Sequence, residues 1–143
     1  MSIVNINSNQ VFCDTSFFIA SLSKKEKNYL KALKIIQQTA GKNIDFYTTW
    51  DVVSETITFL LYHYGYHLAI KFIEEVKPTL KIISPDENLR IKAEKTFKKL
   101  AKEAEVSFCD VVSFLVVKEI LGSETPCLTF DTDFEHLGLT VIN

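Results

Sequence analysis

Short apolar segments of strand length alternate with longer segments of helical spacing along most of this chain. The strand-like segments read "QVFCD", "IDFYTT", "LKIIS", "PCLTF" and "LTVI". Strands that alternate with helices favour a mostly parallel sheet with helices on both faces. The sequence therefore predicts an α/β fold.

Five segments have the apolar spacing or composition of helices. They read "TSFFIASL", "SKKEKNYLKALKIIQQTAG", "WDVVSETITFLLYHY", "YHLAIKFIEEVK" and "VVSFLVVKEILG", and a Lys-rich helix is expected over 87–105. Thr15 or Ser16 is expected to cap the first of these helices, and Asp86 to cap the Lys-rich one. Gly41 is expected just after the end of the second, because glycine favours that position.

The size and charge of the chain limit its class. A length of 143 residues with 47% apolar content suits one globular domain over 1–143. The net charge of −2 does not suit a protein that holds nucleic acid by bulk electrostatics. The polar start "MSIVNINSNQ" does not resemble a signal peptide, and no apolar run reaches membrane-spanning length. We expect a cytoplasmic protein with no membrane association.

The chain has three cysteines without the CxxC spacing of many metal and redox sites. Cys13, Cys109 and Cys127 each lie in or beside an apolar run. Free cysteines of this kind are most often buried. We expect reduced, structural thiols.

Acidic residues recur where the predicted strands end. Asp14 and Asp131 follow strand-like segments, Asp110 lies at the start of a helix, and Glu55 lies about two turns into another helix. Loops beyond the carboxyl ends of parallel strands converge on one crevice. Carboxylates that meet there repel one another unless a cation neutralises them, and oxygen ligands suit Mg²⁺ or Mn²⁺. This pattern predicts a metal site able to support phosphodiester hydrolysis.

Each acid also has a purely structural interpretation. Asp14 and Asp110 are suited to cap helices, and Asp131 or Asp133 is suited to cap the turn that begins at Phe134. The sequence has no GxSxG, Walker, GxGxxG or HExxH motif. His63 and His67 have i, i+4 spacing, but Gly65 interrupts that helix face, which favours a structural or surface role over a zinc site.

Four segments resemble, in order and spacing, the acidic motifs of PIN-domain nucleases, especially the VapC-like ribonuclease toxins. They read "VFCDTSFFIA", "TTWDVVSET", "VSFCDVVSFLVV" and "LTFDTDFEHLGLTVI", and the resemblance spans roughly residues 10–142. It departs from the family in about ten residues before the first strand and in Val111, where alanine is common.

The resemblance implies a three-layer α/β/α sandwich and RNA cleavage that depends on Mg²⁺ or Mn²⁺. It implies catalytic and metal-binding roles for Asp14, Glu55, Asp110 and Asp131, with Asp133 as an accessory metal ligand. Two hydroxyl residues, Ser16 and Thr129, match positions that orient a carboxylate or water. The family also implies a homodimer and, for its toxins, an antitoxin partner.

Two surfaces are candidates for holding RNA. Six basic residues on the Lys-rich helix suit a phosphate-binding rim, but interleaved glutamates also fit an ordinary solvated face. They are Arg90, Lys92, Lys95, Lys98, Lys99 and Lys102, and Lys24, Lys25 and Lys27 are further candidates. The aromatic run "FLLYHYGYH" over 59–67 suits base stacking, a protein interface or core packing.

Two rival functions remain open from the sequence. A PIN-like module that binds RNA or protein without cutting is one, although the acidic set is complete. A phosphohydrolase of the haloacid dehalogenase type is the other, but that chemistry needs an acid two residues after Asp14, where this chain has Ser16.

Overall fold

The computed structural model describes residue 6 and residues 8–143 of the chain. The sequence "MSIVNINSNQ" was expected not to be a signal peptide, and most of this segment lies outside the described residues. The five strands are β1 (Gln10–Cys13), β2 (Asp45–Thr49), β3 (Lys81–Ile83), β4 (Cys127–Leu128) and β5 (Val141–Ile142). The α-helices are α1 (Thr15–Leu22), α2 (Tyr29–Thr39), α3 (Trp50–Tyr64), α4 (Tyr66–Lys71), α5 (Glu87–Leu100), α6 (Phe108–Val116) and α7 (Asp133–His136).

The strands form one parallel sheet in the order β3-β2-β1-β4-β5. The register pairs Phe12 with Tyr47 on one side and with Cys127 on the other. The predicted α/β/α sandwich with a mostly parallel sheet is confirmed. Because β1 is central, the residue that follows it lies between the loops of its neighbours.

The apolar character of β1 and β4 follows from their central positions. Val11, Phe12, Cys127 and Leu128 are fully buried, as expected for strands covered by helices on both faces. Six of the nine residues of α6 are also buried, which explains its nearly continuous apolar sequence. These elements fix the positions of the loops that carry acids.

Several predicted helix boundaries are wrong. Asp14, and not Thr15 or Ser16, caps α1, because its carboxylate accepts a hydrogen bond from the Ser16 N–H. α2 begins only at Tyr29, after a series of turns, and α5 ends at Leu100 instead of Glu105. α6 begins at Phe108, three residues earlier than expected, so that Asp110 lies inside its first turn.

Other predicted boundaries agree with the structure. Asp86 caps α5, accepting from the Leu89 N–H at 2.9 Å. Gly41 follows α2 with φ of 78°, a conformation that glycine adopts without strain. The helix expected before Pro78 is present but irregular, since α4 continues into a π-helical turn over Phe72–Val76 and a 3-10 turn over Lys77–Thr79.

Two further predictions concern thiols and membranes. Cys13 and Cys127 are buried free thiols, as predicted, and Cys109 is partly exposed. Among the described residues, every helix is too short or too polar to cross a bilayer.

Candidate active site

All five predicted acids line one cavity of about 460 Å³ beside the carboxyl ends of β1 and β4. They are Asp14, Glu55, Asp110, Asp131 and Asp133, and they come from four separate parts of the sequence. We call this space the acidic cavity.

Asp14 is the most constrained of these acids. Its side chain is 3% exposed, and its Oδ2 atom accepts hydrogen bonds from the Thr129 hydroxyl at 2.9 Å and the Ser16 hydroxyl at 3.0 Å. Burial raises the pKa of the Asp14 carboxyl above its ordinary value, and the hydrogen bonds from Thr129 and Ser16 oppose this rise. Both hydroxyls therefore bind the same oxygen of the carboxylate.

The same two hydroxyls hold the loop that follows β4. The Phe130 N–H donates to the Ser16 hydroxyl at 2.9 Å, and the Asp131 N–H donates to the Thr129 hydroxyl at 3.0 Å. Each hydroxyl thus donates to Asp14 and accepts from the loop. This arrangement couples the position of Asp14 to that of Asp131.

Asp131 and Asp133 are joined by a local turn. The Asp133 N–H donates to Asp131 Oδ1 at 2.9 Å, and α7 begins at Asp133. Burial raises the pKa of the Asp133 carboxyl, and the neighbouring Asp131 raises it further. Asp131 therefore closes a turn just before α7 and also lines the acidic cavity. The cap expected from Asp131 or Asp133 for a turn beginning at Phe134 is not formed: α7 begins at Asp133, and Thr132 precedes it without a side-chain cap.

Asp110 also combines a cap with a place in the acidic cavity. In a capping box, the Asp110 N–H donates to the Ser107 hydroxyl at 3.0 Å and the Ser107 N–H donates to Asp110 Oδ2 at 3.2 Å. Burial and the charge of Asp14 raise the pKa of Asp110 to about 7, despite these hydrogen bonds. A cation that bound beside Asp110 would therefore displace the proton from its carboxyl group.

Three of the acids come close enough to share one ion. Asp110, Asp131 and Asp133 each offer a carboxylate oxygen, and these atoms lie within 4.8 Å of one another. Among the described residues, the group formed in this way does not include Asp14 or Glu55. An all-oxygen donor set fits Mg²⁺ or Mn²⁺ and does not suit a thiophilic metal.

Glu55 approaches the acidic cavity from α3. Its side chain is exposed, and its Oε2 atom lies 3.4 Å from the Thr15 hydroxyl. The neighbouring Cys109 thiol has a pKa raised mainly by burial and also by a hydrogen bond to Glu55. The raised pKa keeps the Cys109 thiol protonated at neutral pH.

Sequence reasoning missed four polar residues that line the acidic cavity. Glu26, Asn28, Glu105 and Ser107 come from the loops before α2 and before α6. The Ser107-x-x-Asp110 spacing is a capping-box signal that was available in the sequence. Glu26 has no such signal, since its position depends on a hydrogen bond from the Tyr64 hydroxyl at 2.5 Å, 38 residues away.

A second space runs along α3 beside the acidic cavity. It measures about 750 Å³ and is lined by Trp50, Asp51, Ser54, Glu55, Thr58, Phe59, Tyr62, His63 and Cys109. We call it the α3 groove. Glu55 and Phe59 line both spaces, so the α3 groove and the acidic cavity are neighbours.

The aromatic run over 59–67 separates into several environments. Phe59, Tyr62 and His63 line the α3 groove, whereas Tyr66 and His67 are exposed and line neither space. His63 stacks on Phe59 with ring centroids 3.8 Å apart. Both histidines are exposed.

The candidate basic rim on α5 is partly occupied by ion pairs. Arg90 forms a two-pronged pair with Asp51 on α3, at 3.0 and 3.1 Å. Lys92 pairs with Glu119. These contacts support an ordinary solvated and structural face for this part of α5.

Comparison with known proteins decides the family. The family model described as PIN domain matches residues 11–139, nearly the whole chain. The chain belongs to the PIN-domain family. The resemblance noted from the acidic motifs is therefore confirmed.

Solved structures show the same PIN fold. The crystal structure of Mycobacterium tuberculosis VapC20, described as a Sarcin-Ricin loop cleaving toxin, is 25% identical with a TM-score of 0.78, covering 91% of this chain and 96% of that chain. FitAcB from Neisseria gonorrhoeae is 15% identical with a TM-score of 0.67, covering 93% and 96%. VapBC-1 from nontypeable Haemophilus influenzae is 15% identical with a TM-score of 0.61, covering 94% and 97%. No curated protein sequence gives a significant match. Together, the family and these neighbours support assignment of this PIN domain to the VapC-like nucleases.

Proposed function

We propose that this protein is a metal-dependent endoribonuclease, the toxin of a VapBC-type toxin–antitoxin pair. The observation that carries the proposal is the convergence of five acids from four parts of the sequence on one cavity. The similarity to VapC20, a toxin that cleaves the Sarcin-Ricin loop, supports RNA as the substrate. The active unit is the single PIN domain of residues 1–143, acting in the cytoplasm.

Asp14, Asp110 and Asp131 would hold Mg²⁺ or Mn²⁺, with Asp133 as an accessory ligand and Glu55 at the edge of the site. When bound, such an ion neutralises the carboxylates, polarises a phosphodiester and lowers the pKa of water. The protein's own contribution is to fix the carboxylates in place. Ser16 and Thr129 restrain Asp14, and the turn at Asp133 restrains Asp131.

The haloacid dehalogenase alternative is disfavoured by the contacts of Ser16. In that chemistry a second acid would stand at this position, whereas here the Ser16 hydroxyl binds Asp14 and the loop after β4. Position 16 therefore has a positioning role.

Cleavage of a mixed RNA pool tests the enzymatic proposal. We expect cleavage with Mg²⁺ or Mn²⁺, none with a chelator, and none by Asp14→Asn, which keeps a capping oxygen but lacks the charge. Glu75→Gln is the matched control, since Glu75 is an exposed acid whose side chain is 64% accessible. Equal cleavage by Asp14→Asn would disprove the metal mechanism, and no cleavage under any condition would favour the silent RNA- or protein-binding module.

The toxin role needs a separate experiment. The similarity to VapBC-1 supports an antitoxin partner. A homodimer is part of the proposal, as the resemblance to VapC-like toxins implies. We expect that expression of the wild-type chain arrests growth, that Asp14→Asn does not, and that an adjacent antitoxin gene restores growth. Sedimentation of the purified chain tests the dimer.

A further inference from the structure

The α3 groove has the chemistry of a nucleobase site. It is bordered by rings instead of a continuous aliphatic surface: Trp50 is 46% exposed and Tyr62 is 80% exposed. The ring of His63 lies nearly parallel to that of Phe59, with an interplanar angle of 9°. Flat, exposed rings suit the stacking of an unpaired base.

Polar groups between the rings suit the edges of a base. Ser54 and Thr58 place hydroxyls in the α3 groove, and these can both donate and accept hydrogen bonds. His63 Nδ1 lies 3.1 Å from the Phe59 carbonyl oxygen, which can only accept, so this nitrogen carries the proton. In neutral His63 the other ring nitrogen is then an acceptor.

A basic side chain lies beside Trp50. The Lys77 ammonium lies 4.7 Å from the centroid of the Trp50 ring. A cation at this position suits a strand that carries a phosphate next to each base. The acids of the neighbouring cavity would repel the same strand unless a divalent ion neutralised them.

We propose that the α3 groove holds an unpaired nucleobase of the RNA whose phosphodiester lies in the acidic cavity, with Trp50 as a stacking platform. This inference rests on the proposed ribonuclease function and deepens it. The proximity of the two spaces carries it, because Glu55 and Phe59 line both of them. A base held beside the acids positions the adjacent phosphate, so Trp50 selects single-stranded over paired RNA.

Trp50 is the only tryptophan in the chain, so its own fluorescence reports on the α3 groove. The probe is a single-stranded oligouridylate of about ten nucleotides, within the range of known single-strand sites. It is titrated into Asp14→Asn protein with Mg²⁺, in parallel with an abasic oligomer of the same length. We expect the oligouridylate to quench Trp50 and the abasic oligomer not to do so.

Binding of labelled oligouridylate, followed by anisotropy, tests the role of the ring. Trp50→Ala should weaken binding by on the order of tenfold, whereas Trp50→Phe should restore most of it. Tyr66→Ala is the matched control, because Tyr66 is an aromatic residue 66% exposed that lies outside both spaces. In the active protein, Trp50→Ala should raise KM more than it lowers kcat.

The outcomes separate this inference from the proposed function. Quenching without cleavage by the wild-type protein would support the base site and contradict the enzyme. Cleavage without quenching, or equal quenching by the abasic oligomer, would overturn the base site. A shift of Trp50 emission that depends on protein concentration alone would also overturn it, since a second copy would then cover the α3 groove.

Discussion

In three acids of this site, one carboxylate oxygen accepts a structural hydrogen bond from a backbone N–H. Asp14 accepts the capping hydrogen bond of α1 from the Ser16 N–H at Oδ2, Asp110 accepts that of α6 from the Ser107 N–H at Oδ2, and Asp131 uses Oδ1 for a turn. Capping and metal binding are therefore compatible roles for one carboxylate, because each has two oxygens. The sequence left a capping role and a metal-binding role open for each of these acids. Both roles can belong to one side chain, because each uses a different oxygen of the carboxylate.

Thr129→Val removes the hydroxyl that joins Asp14 to the loop after β4. We expect Mg²⁺ to bind roughly 10- to 100-fold more weakly, as is usual when a group supporting a metal ligand is lost. The pKa of Asp14 should rise, because the lost hydrogen bond lowers it. Calorimetric Mg²⁺ titration measures the first effect, with Thr96→Val as the control, since the Thr96 hydroxyl bonds only its own helix.

Asp131→Asn and Asp133→Asn separate the two aspartates of the "FDTD" segment. In Asp131→Asn the side-chain amide oxygen can still accept from the Asp133 N–H, so the turn should survive while the charge is lost. We expect kcat/KM to fall at least about 100-fold for Asp131→Asn, given the several kcal/mol that a bound ion contributes. Asp133→Asn should cost only about tenfold. Equal losses would show that both acids bind the ion directly.

Three of the acids in the site lie at the N-termini of helices. Asp14 caps α1, Asp110 lies in the first turn of α6 and Asp133 begins α7. The partial positive charge of a helix N-terminus stabilises a carboxylate. The site thus brings its acids together at three such ends, which offsets part of their repulsion.

Ser107→Ala tests the capping box of α6. The lost cap should lower the free energy of unfolding by about 1 kcal/mol. It should also raise the pKa of Asp110, because the hydrogen bonds of Ser107 lower it. Urea denaturation measures the stability, and Ser21→Ala is the control, since the Ser21 hydroxyl bonds a carbonyl inside α1. An unchanged midpoint for Ser107→Ala would contradict the role of the cap.

The sequence predicted the elements better than their ends. Apolar periodicity identifies β1 and α6 because the core requires it, whereas "AKEAE" after Leu100 has helical propensity but makes no packed face. The π-helical turns at Phe72–Val76 and Val117–Gly122 were not predicted, because the sequences of these segments do not distinguish a π-helical turn from an α-helix. The place of Glu26 and the α3 groove depend on contacts between distant segments, which one sequence does not encode locally.

Charge is unevenly distributed over the whole molecule. Seven of the 18 acidic residues line the acidic cavity, and outside it the 16 Lys and Arg residues outnumber the remaining acids. The net charge of −2 is therefore the sum of an acidic cavity and a remainder of the protein, the basic body, that is net positive. Such a body would attract a polyanion such as the proposed RNA substrate, while the acidic centre would accept a phosphate only when a cation neutralises it.

The stability of the metal-free protein should fall as pH rises from about 4 to about 7. The pKa of Asp110 is 3.8 when unperturbed and about 7 in the fold, so over this window the folded state holds a proton that the unfolded chain has lost. The stabilising effect is complete below the lower value and disappears above the higher one. Asp14, whose pKa is also raised, acts in the same direction.

Mg²⁺ should reverse this trend, because it binds the ionised acids of the folded state. Denaturation midpoints measured with chelator and with Mg²⁺, from about pH 5 to about pH 8, test both statements. Asp110→Asn should flatten the curve obtained with chelator, while Glu75→Gln should not. A curve that rises with pH in the chelator would contradict the assignment.

The strand order also places a constraint on synthesis. β1 emerges from the ribosome early, but its neighbour β4 and the acids that follow it are made after all other helices and strands except α7 and β5. A nascent chain that has not reached residue 131 lacks two of the three acids whose oxygens could share one ion, namely Asp131 and Asp133. Translation itself thus delays assembly of the acidic cavity, since most of the chain is synthesised before Asp131 and Asp133 are added.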